Sequence, residues 1–172
     1  MGNKTESTKT GCLKTGCLGF TGCLGVIGVV VFVFIGIMMN YIPEDEKPYY
    51  ESARNGDSDA QCAMGFIKLI KGDREEAKKW FGRKENSNNP IARFMLGVCY
   101  ADDGYSAYAI NEFRSAERAA DSYFFNSSLR KYHVKYLSNY ASKMCCHSNQ
   151  DIQDAAEEAY LKIRINAEAD NS

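Results

Sequence analysis

Seven cysteines and two histidines are the residues of this chain best suited to chemistry, and their spacing limits what that chemistry could be. Cys145, Cys146 and His147 are consecutive. Redox and zinc sites draw on C-x-x-C pairs or four-ligand sets, and this run supplies neither. We read the pair as two small residues buried at a helix end, with a thiol-active enzyme as the alternative. Cys12, Cys17 and Cys23 each sit in a Gly-Cys-Leu unit, separated by four and five residues. Those gaps do not suit zinc, and a lipoprotein box would follow an apolar run rather than precede it. Acylation of cytoplasmic juxtamembrane cysteines is one reading in a eukaryotic host; packing of a helix end is the one we prefer. Met1-Gly2 opens like a myristoylation signal, but Glu6 stands where Ser or Thr belongs. Glu75-Glu76 and Asp102-Asp103 read as caps and solvated turns. There is no G-x-S-x-G, phosphate loop or H-E-x-x-H. The sequence therefore offers no catalytic residue, metal ligand set or cofactor site.

The elements that must hold these residues divide the chain in two. No residue between Lys14 and Glu44 is charged, and Leu24 to Met39 is nearly all Val, Ile, Phe, Gly and Met. A spanning helix takes about 20 apolar residues, so residues 18–42 are expected to cross a bilayer. No small-x-small cleavage site follows them, which makes the segment an uncleaved signal-anchor. Lys4, Lys9 and Lys14 precede it, and Glu44, Asp45 and Glu46 follow it. Positive flanks stay inside, so residues 1–17 are expected to be a cytoplasmic tail and the C-terminal domain extracytoplasmic (periplasmic in a bacterium). Gly19, Gly22, Gly25 and Gly28 form a smooth strip along which two such helices could pack closely. Pro43 and Pro48 are expected to stop the helix and stiffen a linker over 43–57. The chain has 172 residues and a net charge of −1, which argues against a nucleic-acid partner.

The outer part carries one pattern twice. Ala60, Met64, Gly65, Gly72, Ala77 and Phe81, each advanced by 32, become Ala92, Leu96, Gly97, Gly104, Ala109 and Phe113. Such a period is typical of stacked units too small to bury their apolar faces alone. We expect helices over 58–71, 74–84, 90–101 and 106–120. Gly65 and Gly97 fall inside helices, where each costs about 1 kcal/mol relative to alanine; close approach of a neighbouring helix would offset that. Residues 121–172 are read as a divergent third hairpin that caps the array, with helices over 122–144 and 151–167.

Ala92, Leu96, Gly97, Tyr100, Gly104 and Ala109, followed by Phe113 and Ala116, resemble the Sel-one-like repeat of the tetratricopeptide superfamily. The first unit departs from it at Met64, Lys68 and Lys84. The resemblance covers residues 53–120. It implies an all-α chain in which the membrane helix is followed by a short right-handed solenoid of helical hairpins. It implies an adaptor or assembly scaffold rather than an enzyme, with a protein partner in a membrane or envelope complex. A constitutive small subunit of such a complex is the alternative. In such arrays the first helix of each unit lines the inner curve, which would place Cys62, Phe66, Leu69, Ile70, Phe94, Val98 and Ala101 there. That surface would either receive a partner's apolar segment or be covered by the protein's own C-terminal part.

Overall fold

A computed structural model of the chain describes residues 44–125 and 127–170. The expected tail and membrane helix over 1–42 lie outside them. Among the described residues the protein is all-helical, and no helix is long and apolar enough to cross a membrane. The helices are α1 (Lys47–Arg54), α2 (Ser58–Ile70), α3 (Arg74–Phe81), α4 (Pro90–Asp102), α5 (Ser106–Ala120), α6 (Ser128–Met144) and α7 (Gln150–Ala169), with a 3-10 turn at Lys84–Asn88.

The turns that fold α2 onto α3 and α4 onto α5 are built alike. Gly72 and Gly104 take φ of 79° and 82°, a left-handed conformation that suits glycine and closes a helix. Asp73 N–H donates to the Lys68 carbonyl, and Tyr105 N–H, 32 residues on, donates to that of Tyr100, both at 2.9 Å. The starts of α2 and α4 match as well. Asp57 accepts from Ala60 N–H, and Asn89 accepts from the N–H groups of Ile91 and Ala92, satisfying donors that a helix start leaves unpaired.

Gly65 and Gly97 do what their position suggested. A Cβ on Gly65 would lie 2.5 Å from the Phe81 ring, and one on Gly97 would lie 2.8 Å from the Phe113 ring. Phe81 and Phe113 are both fully buried, so neither ring can yield without disturbing its neighbours. Gly65→Ala is accordingly expected to destabilise by about 1 to 2 kcal/mol, overpacking outweighing the gain in helix propensity. Adding Phe81→Leu should recover part of the loss in urea unfolding. A Gly65→Ala protein more stable than the parent would contradict the contact.

Several boundaries differ from expectation. Helix α3 ends at Phe81 rather than at 84, because buried Asn86 turns back and its Nδ2 donates to the carbonyls of Trp80 (2.8 Å) and Phe81 (3.3 Å). Asn86 Oδ1 also accepts from Ser58, which in turn accepts from Asn89, so three short polar side chains tie the first hairpin to the start of α4. The stretch read as a linker over 43–57 contains α1, with Pro48 in its first turn, where a missing N–H is harmless. Glu46, almost wholly buried, accepts from Lys68 and Lys71, both at 2.8 Å. Burial pushes its carboxyl up, but the two lysines outweigh that and hold it below the ordinary range. Lys68, a departure from the repeat pattern, thus has a partner that docks α1 onto α2. Helix α6 starts at Ser128 rather than at 122: Phe125 is buried within the preceding segment, and the Ser127 hydroxyl caps the helix by accepting from Arg130 N–H.

The last two helices do not simply continue the pattern. Helix α7 packs on α5, α6 and α4, whereas α6 runs over α2 and α4. Val134, Leu137, Ala141 and Met144 of α6 join Phe66, Phe94 and Val98 in one apolar core.

Candidate functional site

Helix α6 is fastened at both ends. Near its start, Arg130 Nε donates to both oxygens of Asp59 on α2, at 2.9 and 2.8 Å, and Tyr123 Oη donates to the same carboxylate at 3.0 Å. The Arg130 guanidinium also lies over the Tyr123 ring. Burial, and then the Asp59 charge, raise the Tyr123 hydroxyl well above its ordinary value, so it stays a donor. At the far end, Lys143 Nζ lies 2.6 Å from Asp102 at the end of α4, and Arg74 holds the same carboxylate. Charge-assisted bonds of this kind are stronger than neutral ones and fix orientation.

Beneath α6 lies the face that the sequence suggested as a partner groove. Cys62, Phe66, Phe94, Val98 and Ala101 are buried, Leu69 is half-buried, and Ile70 alone of the seven is exposed. The face is thus not an open groove. Phe66 meets His133 and Tyr136 of α6 at ring-centroid distances of 5.1 and 5.4 Å, while Phe94 meets Phe113 of α5 and Tyr160 of α7. Covering it removes a large apolar area from water, at roughly 25 cal/mol per Å².

Where the cover ends, a pocket of about 180 Å³ remains between α1, α2 and α6. Phe66, Tyr49, Tyr136 and His133 line it, and Ile70 and Tyr132 stand at its rim, 66% and 60% exposed. Drug-sized ligands take roughly 300 Å³ or more, so this space suits one or two inserted side chains. His133 is itself buried, and its Nδ1 has no protein hydrogen-bond partner. Burial lowers the ring to about 4, against the upward pull of Asp59, so it is neutral at pH 7.

The thiols are distributed differently from expectation. Cys145 and Cys146 are exposed, because Met144 takes the last buried place on α6 and the chain leaves the core after it. Cys62 and Cys99 are buried free thiols; burial raises both, Cys99 to about 12, which keeps them protonated and unreactive. Among the described residues no three His, Cys, Asp or Glu side chains gather as a metal site would require. No family model, curated protein or solved structure matches the chain.

Neither the clamp on α6 nor the pocket is visible in the sequence. Asp59 and Arg130 are 71 residues apart and sit in unremarkable contexts. The one available hint was the absence of any acidic residue from Ser128 to Met144 beside four basic ones, which marks α6 as needing carboxylates from elsewhere.

Proposed function

We propose that the chain is a membrane-anchored helical-repeat adaptor or assembly factor that binds another protein at a membrane or envelope. Residues 18–42 tether it with the N-terminus cytoplasmic, and two Sel-one-like repeats with their cap form a short right-handed solenoid outside. We assign it no chemistry of its own: Asp59, Asp102 and Glu46 are engaged in clamps between helices, and the buried thiols Cys62 and Cys99 are held protonated. The observation that carries this reading is the pocket edged by Ile70 and Tyr132. The protein covers the rest of its apolar face with α6 and α7 yet leaves a large aliphatic and a large aromatic side chain exposed beside a small apolar recess. Exposed apolar groups gathered in this way mark contact sites. Asp45, which also lines the recess, follows the expected membrane segment by three residues in sequence, so a partner in the same membrane is the natural occupant.

Ile70→Glu combined with Tyr132→Glu is expected to leave circular dichroism and thermal unfolding close to the parent, since both side chains are solvated. The same variant should lose the protein that co-purifies with the parent from membranes. Retention of that protein at unchanged stoichiometry would remove the pocket from the account.

A further inference from the structure

Away from that pocket, a second groove of about 310 Å³ runs between α6 and α7. Val134, Tyr160 and Ala167 give it an apolar lining, and Lys131, Lys135 and Arg164 stand exposed around it. Its charge is not neutralised locally. Of the four basic residues on α6, Arg130 is engaged by Asp59 and Lys143 by Asp102, whereas Lys131 and Lys135 have no carboxylate within ion-pair distance among the described residues. Arg164 lies over the Tyr160 ring, 5.9 Å from its centroid, and its one carboxylate neighbour among the described residues is Glu168, at 3.6 Å with both side chains largely in water; such exposed pairs hold little. Three cations and one carboxylate therefore edge an apolar groove in a chain whose net charge is −1.

We infer that this groove receives an acidic amphipathic helix from a partner protein. Lys131 and Lys135 are four residues apart on one helix, hence about 6 Å along its axis. Carboxylates at i and i+4 of a docked helix repeat at the same pitch, and an apolar residue between them would meet Val134 and Tyr160. Complementary charge of this kind sets the register and speeds the encounter, and an amphipathic helix in a groove is a recurrent mode of recognition. A nucleic-acid strand fits less well, because Glu168 interrupts the basic edge and the chain as a whole is slightly acidic. The inference names a partner chemistry for the adaptor reading and rests on it.

The test uses the full chain in nanodiscs of zwitterionic lipid. The probe is a labelled synthetic helical peptide with a leucine stripe flanked by glutamates at i and i+4, followed by fluorescence anisotropy. The acidic peptide is expected to bind, and its glutamine counterpart to bind about tenfold more weakly. Lys131→Glu with Lys135→Glu should weaken the acidic peptide by at least about tenfold. Arg114→Glu with Arg118→Glu, an equal change of charge on α5, should not. Absence of binding, equal binding of the two peptides, or equal loss in both variants would overturn the inference. So would a lysine-dependent interaction seen only with phosphatidylserine nanodiscs, which would make the groove a lipid site. Failure here with the Ile70 and Tyr132 contact intact would remove the groove and leave the adaptor reading standing.

Discussion

Phe94→Asp is expected to abolish folding of the helical domain. Phe94 is fully buried against Phe113 and Tyr160. Truncating a core phenylalanine costs about 3 to 5 kcal/mol, and burying a carboxylate with no cationic partner adds several more, even after it takes up a proton. The total is comparable to the whole stability of a small domain, about 5 to 15 kcal/mol. Far-UV circular dichroism and limited proteolysis should therefore report an unfolded chain, whereas Ile70→Asp, at the solvated end of α2, should remain folded. A Phe94→Asp protein that melts cooperatively would mean that the face is open at Phe94 and that Tyr160 of α7 does not cover it.

The second large effect is a loss of stability in mild acid that depends on one ring. His133 has a folded value near 4 against an ordinary 6.5 because burial disfavours its charged form. Between those values the unfolded chain binds more protons than the folded one. Stability is therefore fully present above about pH 6.5 and falls as the pH drops through the window towards 4. At about 1.4 kcal/mol per unit, the loss at pH 5 is about 2 kcal/mol. Glu46, Asp45 and Asp103 are lowered by their lysine partners, so their contributions fade at more acidic pH, below the ordinary carboxylate range. Urea midpoints at pH 7 and pH 5 should differ markedly for the parent and little for His133→Phe, which keeps a ring against Phe66. Parallel declines in the two proteins would place the acid sensitivity elsewhere.

Both effects arise from a part of the fold that the sequence shows poorly. The two hairpins were legible because their determinants are local: Gly72 and Gly104 between the paired helices, and alanines and phenylalanines at helical spacing. The intrahelical Gly65 and Gly97 could be read as close approaches because mid-helix glycine is costly unless a neighbour needs the space. Helix α1 was missed because Pro48 resembles a breaker and the helix is only eight residues long; what stabilises it is Glu46, whose lysine partners lie 22 and 25 residues away. The placement of α6 over α2 and α4 was out of reach for the same reason. Its own pattern declares an amphipathic helix, but which face of the protein it covers is decided by Asp59 and Asp102. The apolar first-helix face was recognised from Phe66, Phe94 and Val98, and the choice between self-cover and partner contact turned on that distant pairing.

On the reading we propose, the protein works by touching a partner through the rim that α6 leaves uncovered. Photo-crosslinking in intact membranes tests it most directly, with benzoylphenylalanine placed at Ile70, at Tyr132 and, as a control, at the exposed Arg114 on α5. A discrete adduct with the same protein is expected from Ile70 and from Tyr132, and none from Arg114. Silent positions at Ile70 and Tyr132, or an equal yield from Arg114, would contradict it.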